Sequence, residues 1–257
     1  MEPLLFSPMN FKDYFSKQAT DYALYRPHYP KALFDYLNTL GNEHKTAWDC
    51  GTGSGQVAIG LSPYFDKIIA TDPSQKQINE AIRDSKITYK VAAEDVELDS
   101  QSIDLVTVGQ ALHWFDFNKF YSRVRDVLKP EGMLAVWCYS LIQINPALNS
   151  LVKHYYAFIV GPFWPAERYW VEEQYETLPF PWDELAPPTL KMTTEWSLQE
   201  LVGYLNTWSA TQRFIDAHDY HPLDQILKDL TKAWGRPDEK KAVHWPLHLR
   251  VGRPKPQ

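Results

Sequence analysis

Short apolar runs alternate with amphipathic segments along most of the chain, and the two patterns predict different elements. Continuous apolar runs are typical of buried parallel strands, which are apolar on both faces. Amphipathic segments, in which apolar residues recur about every 3.6 positions, are typical of helices with one buried face. Because the two patterns take turns, they predict an open, doubly wound α/β sheet. The predicted strands are 46–50, 67–71, 87–92, 102–109 and 133–139, and the clearest predicted helices are 31–40 and 117–128.

Beyond residue 140 the chain becomes rich in proline and aromatic residues between its helical segments. Asn145 and Pro146 predict one helix start, and Ser197 with Glu200 predicts another through a capping box. The stretch 161–188 favours a loop that covers the ligand edge of the sheet, although a loop that only packs its own aromatic rings fits the pattern as well. The other predicted elements are strands at 189–194 and 242–251 and a helix at 222–234.

The most informative stretch is the glycine turn after the first strand, which reads D-C-G-T-G-S-G-Q. Gly51, Gly53 and Gly55 can adopt positive φ and leave bare backbone for a ligand. The N–H groups and the positive dipole end of the next helix favour an anionic or carboxylate-bearing nucleotide cofactor. A dinucleotide site requires G-x-G-x-x-G, but Gln56 stands where its third glycine belongs. The turn alone leaves open a dinucleotide, another nucleoside cofactor, or no ligand.

Polar residues at the ends of the other predicted strands are candidate partners of the turn. Asp72 follows the turn by about twenty residues, the spacing of an acid that accepts hydrogen bonds from ribose hydroxyls. Glu94 and Asp95 follow the third strand, where they are placed either to meet an adenine amino group or to form a solvated turn. The fourth strand leads into His113 and Trp114. Because ligands bind beyond the carboxyl ends of parallel strands, we expect these side chains to surround one pocket.

Composition limits the possible partners. The chain has 257 residues, 44% of them hydrophobic, and a formal charge of -6, which argues against a nucleic acid bound by charge alone. Cys50 and Cys138 lie in apolar runs and are expected to be reduced core thiols of a cytoplasmic protein. No apolar stretch is long enough to span a membrane and no export signal is visible, so we expect no membrane partner. The histidines show no metal-ligand spacing, so we expect no metal.

Five motifs follow one another between Thr46 and Tyr139: D-C-G-T-G-S-G, T-D-P-S, A-A-E-D, D-L-V-T-V-G-Q-A-L-H-W-F-D and V-L-K-P-E-G. In order and spacing this stretch resembles the class I S-adenosylmethionine-dependent methyltransferases. More narrowly, Tyr22, the pair Arg26-Pro27 and Q-A-L-H-W-F-D resemble the trans-aconitate and cantharidin methyltransferase group.

The resemblance implies one methyltransferase domain with a Rossmann-like, seven-stranded α/β sheet. Such a sheet is mostly parallel with an antiparallel edge strand, and a helical and loop cap lies over the substrate pocket. The predicted parts of the domain are an N-terminal lid and first helix (1–45), a cofactor-binding core (46–140), a substrate cap (141–195), and C-terminal helices with the last strand (196–257).

The resemblance also assigns cofactor residues. Asp49 and the three glycines would hold the methionine side of S-adenosylmethionine, and Asp72 would hold the ribose. Arg26 would pair with the cofactor carboxylate, while Tyr14 or Tyr22 would cover the methionine end. The acids after the third strand would lie at the adenine, and the residues after the fourth strand beneath the sulfonium. The predicted cofactor-binding residues are Tyr14, Tyr22, Arg26, Asp49, Gly51, Thr52, Gly53, Gly55, Gln56, Asp72, Pro73, Glu94, Asp95, Gln110 and Ala111.

Two kinds of methyl acceptor fit the remaining polar residues. A carboxylate is already ionised and needs cations around it, for which His28, His113, Arg168 and Arg213 are candidates beside Arg26. A hydroxyl or amine acceptor benefits from a base with a pKa near 7, and His113 is then the candidate. His113 stands where trans-aconitate enzymes typically have glutamine, and it could equally cap a helix or bond backbone. The predicted substrate-binding residues are Arg26, His28, His113, Trp114, Trp137, Tyr139, Trp164 and Arg168, with His113 as the candidate catalytic residue.

We therefore predict an S-adenosylmethionine-dependent methyltransferase that acts on a small molecule and releases S-adenosylhomocysteine. O-methylation of a carboxylate is favoured, and methylation of a hydroxyl or amine with His113 as base is the alternative. From other classes, a nicotinamide oxidoreductase and a regulator that binds S-adenosylmethionine without transferring the methyl group remain open. The expected partner is a small-molecule substrate, with the protein acting as a monomer or homodimer.

Overall fold

The computed structural model describes residues 25–254, which contain an eight-stranded sheet. Its strands are β1 (Thr46–Cys50), β2 (Lys67–Asp72), β3 (Ile87–Val91), β4 (Ile103–Gly109), β5 (Leu128–Tyr139), β6 (Asp183–Leu185), β7 (Leu190–Trp196) and β8 (Lys241–Arg253). Hydrogen bonding orders them β3-β2-β1-β4-β5-β8-β6, and β7 also pairs with β8. The chain reverses direction across the sheet between β1 and β4, and ligands of open α/β sheets bind at such a point.

One strand of the sheet runs against the others. β1 to β5 pair in parallel, whereas β8 pairs antiparallel with β5, from Leu134 opposite Gly252 to Tyr139 opposite Leu247. β6 and β7 both pair antiparallel with β8 on its outer side. The predicted strand 189–194 is β7, and β6 is an additional strand that the sequence patterns missed, so residues 25–254 contain eight strands where seven were predicted. The Pro187-Pro188 pair separates β6 from β7, because proline cannot donate ladder hydrogen bonds. The predicted mostly parallel sheet with antiparallel pairing at one edge is confirmed.

Helices cover the sheet, and some of them begin at local capping signals. Ser74 accepts a hydrogen bond from the backbone of Gln77, and Asn145 caps the helix that starts at Pro146. Ser197 and Glu200 form the predicted capping box. The α-helices of residues 25–254 are α1 (Lys31–Leu37), α2 (Gln56–Leu61), α3 (Gln75–Glu80), α4 (Phe117–Val127), α5 (Pro146–His154), α6 (Arg168–Glu172), α7 (Leu198–Asn206), α8 (Ser209–Ala217) and α9 (Leu227–Trp234).

The sequence patterns missed two of these helices and placed the start of a third too early. α6 has five residues, too few to show a helical period, and α8 was not predicted. The predicted helix 222–234 begins as a 3₁₀ turn, Pro222–Gln225. Ile226 then leaves helical geometry with a φ of -123°, so α9 starts only at Leu227.

Apolar side chains form a separate core on each face of the sheet. Along β5, Trp137 and Tyr139 belong to one core, while Val136 and Cys138 belong to the other. This alternation follows from the two-residue period of a strand. The carboxyl end of β5 therefore presents side chains to both faces of the sheet. Within the described part of the chain, no helix combines the length and the apolar character that crossing a bilayer requires.

Candidate active site

The glycine turn lies against the end of β2 through three hydrogen bonds that its backbone N–H groups donate. The N–H groups of Gly51 and Thr52 donate to the carbonyl of Thr71 at 2.8 and 2.9 Å. Gly53 donates its N–H to Asp72 Oδ2 at 2.9 Å. The φ values of Gly51, Gly53 and Gly55 are +71°, +54° and +84°, which place all three in the region that favours glycine. The turn thus joins the carboxyl ends of β1 and β2 into one surface.

Two of the three glycines are also required by close packing. A Cβ atom on Gly51 would lie 2.7 Å from the Cβ of Ala111, and one on Gly55 would collide with the Tyr89 hydroxyl. Gly53 differs, since the heavy atom nearest to its Cβ position is Gln77 Oε1 at 3.9 Å. Gly53 therefore presents bare backbone beside Asp72, whereas Gly51 and Gly55 allow neighbouring elements to approach.

Asp49 lies fully buried beneath the turn. Its Oδ2 accepts from the hydroxyl of Thr52 at 2.5 Å and its Oδ1 from the hydroxyl of Thr107 at 3.0 Å. Burial raises the pKa of Asp49 to about 7, although both hydroxyl hydrogen bonds oppose the rise. Because Thr52 is in the turn and Thr107 is in β4, Asp49 fixes the turn relative to the neighbouring strand. Its direct contact with a cofactor stays a prediction.

The acid predicted to meet the ribose is the last residue of β2, and the acids predicted to meet the adenine follow β3. Asp72 accepts from Gly53 through Oδ2 and from the N–H of Ser74 at 2.8 Å through Oδ1, directly beside Pro73. A carboxylate has about four lone-pair sites on its two oxygens, and this chemistry suits it to accept hydrogen bonds from hydroxyls. Glu94 accepts from the N–H of Asp116 at 3.1 Å, while Asp95 is exposed.

Gln110 joins the ends of β4 and β5. Its N–H donates to the carbonyl of Trp137 at 2.8 Å, and its Oε1 accepts from the N–H of Tyr139 at 2.9 Å. Its φ is +58°, an unfavourable backbone conformation for glutamine that is typical of functional sites. Gln110 thereby directs the next residue, Ala111, toward Gly51. Trp137 itself is fully buried and packs edge-on against Tyr29, with ring centroids 5.5 Å apart.

Arg26 reaches the same region from the segment before α1. Its Nη1 donates to the Tyr139 hydroxyl at 2.9 Å, and its guanidinium lies 5.5 Å from the centre of the Tyr204 ring. His28, two residues later, is exposed. Tyr14 and Tyr22, which were predicted to cover the methionine end, lie outside the described residues.

His113 is buried in the 3₁₀ turn that follows β4. Its Nδ1 is 2.8 Å from the hydroxyl of Tyr175, and its ring centroid is 4.9 Å from that of Trp114. Burial, together with the positive charge of Arg168, lowers the pKa of His113 to about 3. The imidazole is therefore neutral at physiological pH.

Arg168, at the start of α6, lies between aromatic rings. Its guanidinium carbon is 4.8 Å from the centre of the Trp164 ring and 5.5 Å from that of Tyr156. Its Nε donates to the Tyr156 hydroxyl at 3.0 Å, and that hydroxyl donates to Glu172 at 2.6 Å. This is the one hydrogen bond that Arg168 makes within residues 25–254. The donors on Nη1 and Nη2 are consequently available to a ligand.

Comparison with known proteins decides the family. Residues 48–136 match the family described as Methyltransferase domain. A proposed methyltransferase of Dictyostelium discoideum is 33% identical over 255 residues, which cover 96% of this chain and 97% of that protein. The chain belongs to the methyltransferases.

Further similarities agree with this family. The methyltransferase resembles the solved structure of a proposed type II methyltransferase from Anaeromyxobacter dehalogenans, with a TM-score of 0.83, 39% identity, and coverage of 90% of this chain and 99% of that one. It is also similar to CRG1 of Saccharomyces cerevisiae, a proposed S-adenosylmethionine-dependent methyltransferase, at 28% identity over 150 residues, which are 53% of this chain and 52% of CRG1. The predicted enzyme class and cofactor are confirmed. This outcome argues against the alternatives of a nicotinamide oxidoreductase and a non-catalytic regulator.

The residues of the methyltransferase fit S-adenosylmethionine. Gly53 offers open backbone, and Asp72 offers a carboxylate beside it for a ribose diol. Gln110 and Ala111 stand beyond β4, next to the turn. The contacts assigned to individual residues, including Thr52, Gln56 and Glu94, stay predictions.

Sequence reasoning missed Tyr175, Tyr156 and Glu172, which hold His113 and Arg168. Glu172 and Tyr175 lie within the proline- and aromatic-rich stretch 161–188, where no periodic pattern relates them to β4. Two aromatic residues close to Arg168 in the sequence, Trp164 and Tyr169, were the available signal of a packed cationic site. Among residues 25–254 no three histidine, cysteine or acidic side chains cluster in a way that would hold a metal ion.

Proposed function

We propose that this methyltransferase transfers a methyl group to a carboxylate oxygen of a small-molecule acid. The observation that carries the proposal is Arg168, whose Nη1 and Nη2 groups make no hydrogen bond within residues 25–254. A guanidinium presents a planar fork of N–H groups that matches the two oxygens of a carboxylate. Arg168 can therefore bind and orient an acid through two parallel hydrogen bonds.

The surroundings of Arg168 support this role. Trp164 stacks on its guanidinium, and Tyr156 accepts from its Nε. The side chain is already held in one orientation, so less conformational freedom is lost when an acid binds. Glu172 is linked to Arg168 only through the Tyr156 hydroxyl, and the charge of the guanidinium is not directly paired with it. Trp164 and Arg168 both belong to the segment 141–195, which we propose as the substrate cap.

The protonation state of His113 favours a carboxylate over a hydroxyl or amine acceptor. A base with a pKa of about 3 removes protons from an alcohol or an ammonium group inefficiently. A carboxylate needs no base, because it is ionised before it reacts. When bound, S-adenosylmethionine supplies an electrophilic methyl group, and the protein has only to align the acid with it and exclude water.

The same arrangement favours release of the product. An ester carries no charge, so it lacks the ionic attraction that Arg168 exerts on the acid. Resemblance to the trans-aconitate methyltransferase group through Arg26-Pro27 and the segment from Gln110 to Asp116 also supports an acid as substrate. His28 is exposed, and we do not include it in the proposed acid site.

Transfer of a labelled methyl group to a panel of small acids tests the proposal. The panel contains mono-, di- and tricarboxylic acids, each paired with the corresponding primary alcohol and primary amine. We expect label only in the acids, as an ester that releases labelled methanol in alkali. Label that appears in alcohols or amines, or that survives alkali, would contradict methylation of a carboxylate.

A further inference from the structure

Tyr175 occupies a backbone conformation that is unusual for its residue type. Gln174 and Tyr175 have φ values of +55° and +63°, so two successive non-glycine residues are in the left-handed region. Tyr175 is also fully buried, and its hydroxyl reaches His113 Nδ1 across 62 positions of the sequence. Such strain persists only where the surrounding structure holds the residue firmly.

Arg250, on β8, holds the backbone around Tyr175. Its Nη1 donates to the carbonyls of Tyr175 at 3.0 Å and Leu178 at 2.7 Å. Its Nε and Nη2 bind both carboxylate oxygens of Glu184, on β6, at 2.7 and 2.8 Å. The Tyr175 hydroxyl is thus delivered to His113 by a loop that is tied to two strands.

The contact between Tyr175 and His113 determines which ring nitrogen carries the proton. Burial raises the pKa of Tyr175 well above its usual value, so the phenol keeps its hydrogen. Within residues 25–254, the one hydrogen-bond partner of the Tyr175 hydroxyl is His113 Nδ1. If Nδ1 carried a proton instead, the phenol hydrogen would be buried without an acceptor, which is destabilising. Tyr175 therefore donates and Nδ1 accepts, and the proton of the neutral imidazole is on Nε2.

We infer that Tyr175 is a positioning residue that fixes His113 as its Nε2–H tautomer, so that His113 donates a hydrogen bond to the acceptor carboxylate. Nε2 lies on the side of the ring away from Nδ1, and it makes no hydrogen bond within residues 25–254. α6, which begins at Arg168, packs against the 3₁₀ turn that contains His113, and the charge of Arg168 acts on this imidazole. We therefore expect both donors to bind one acidic group. The identity of the acceptor rests on the proposed function, whereas the tautomer does not.

The first test is the tautomer itself, read from the ring nitrogen chemical shifts of ¹⁵N-histidine-labelled protein with S-adenosylmethionine bound. The His113 signals are identified by their loss in His113→Gln. We expect an unprotonated Nδ1 and a protonated Nε2 in the wild type, and a mixture of tautomers in Tyr175→Phe. A protonated Nδ1 in the wild type, or an unchanged tautomer in Tyr175→Phe, would overturn the inference.

The second test is steady-state kinetics with an acid that is methylated. Only the Nε2–H tautomer donates to the acid, so a tautomer mixture in Tyr175→Phe should raise KM by the reciprocal of the remaining Nε2–H fraction, about two-fold for an equal mixture, with a smaller change in kcat. The control is Tyr155→Phe, which removes an equally buried hydroxyl, bonded to Thr211, from the other core. We expect its KM to match the wild type.

A third comparison separates a tautomer effect from a packing effect. Glutamine at position 113 has its own N–H donor and no tautomer to fix. Tyr175→Phe should therefore have little further effect on KM in a His113→Gln background. An equal loss in both backgrounds would show that Tyr175 acts through packing, and the inference would be wrong. If no acid is methylated, the proposed function fails, and the nitrogen shifts alone decide the role of Tyr175.

Discussion

Arg26 donates a hydrogen bond of 2.9 Å to the hydroxyl of Tyr139, a residue 113 positions later in the sequence. Its other terminal nitrogen donates to the carbonyl of Thr207 at 3.2 Å. Tyr139 is also bound through its N–H by Gln110. Tyr139 therefore connects the segment before α1 with the end of β4, and both contain predicted cofactor residues.

Removal of the Tyr139 hydroxyl should weaken cofactor binding. Tyr139→Phe keeps the ring but removes an acceptor that orients Arg26, for which we propose a contact with the cofactor carboxylate. We expect a loss of about 0.5–1.5 kcal/mol in the binding free energy of S-adenosylmethionine, measured by calorimetry. Tyr64→Phe, which removes a hydroxyl bonded to Asp35 on the surface, is the control. Equal affinities of the two variants would refute the role of Tyr139.

Alanine substitutions in the glycine turn should separate stability from binding. Gly53→Ala adds a methyl group where the nearest heavy atom is 3.9 Å away, so its stability cost is the left-handed backbone alone, about 1–2 kcal/mol. The Gly53→Ala variant should also bind S-adenosylmethionine more weakly, because the added methyl group covers bare backbone beside Asp72. Gly51→Ala should lower the unfolding free energy more, since its Cβ would lie 2.7 Å from that of Ala111.

Gly235→Ala is the matched control for Gly53→Ala. Gly235 has a φ of +92° with no heavy atom within 4 Å of its Cβ position, and it lies at the end of α9. Urea unfolding should give a loss for Gly235→Ala at least as large as that for Gly53→Ala, because the ψ of Gly235, -121°, lies outside the left-handed helical region. Calorimetry should show weakened cofactor binding only for Gly53→Ala. Undiminished binding by Gly53→Ala would mean that the cofactor does not lie against this backbone.

Replacement of Arg168 should affect the acid substrate and the pKa of His113 together. Arg168→Lys keeps the charge but loses the fork of donors, and we expect KM for the acid to rise about ten-fold or more. Arg168→Gln removes a positive charge that lowers the pKa of His113, so that pKa should rise toward its usual value. Proton NMR titration of the imidazole measures this change.

Arg125→Gln is the control for the Arg168 variants, because Arg125 also lies over a tryptophan, Trp182, at 5.4 Å from its ring centre but at an exposed position. We expect this variant to leave KM and the His113 pKa unchanged. Wild-type KM in both Arg168 variants would remove the main support for a carboxylate acceptor.

The buried Asp49 should make stability depend on pH. Its folded-state pKa, about 7, lies above the usual value of 3.8, so the folded protein binds a proton that the unfolded chain has released between these values. Its contribution to stability is fully present below pH 4 and is lost as the pH rises through 7. The full effect is on the order of 4 kcal/mol, from a shift of about three pKa units.

Urea unfolding at pH 5 and pH 8 measures this dependence. Asp49→Asn has no titratable group at this position, so its unfolding free energy should change less between the two pH values than that of the wild type. The same pH dependence in both proteins would show that Asp49 is ionised in the folded state across this range.

Local signals predicted the central sheet and most helix starts well. Strands such as β4 are apolar on both faces, and the caps at Ser74, Asn145 and Ser197 depend on residues within one turn of the helix. The strand β6 was missed because three residues are too few to show an alternating pattern and because its pairing with β8 is not a local property.

The candidate site was less predictable than the fold. The turn glycines and Asp72 follow motif spacing, so the structure brings them together as expected. Tyr175 could not be found, because its position depends on a left-handed backbone that sequence patterns assign to glycine or asparagine, and on hydrogen bonds from Arg250 on a distant strand. The effect of burial on His113 was also invisible, since pKa values follow the folded environment.

The position of β8 next to β5 has a consequence for synthesis of the protein on the ribosome. The parallel strands β1 to β5 have all been translated by residue 139, so this part of the sheet can begin to pair early. The loop that carries Tyr175 is anchored by Arg250, which is translated 75 residues after Tyr175. A nascent chain can thus pair β1 to β5 well before the backbone around Tyr175 is anchored.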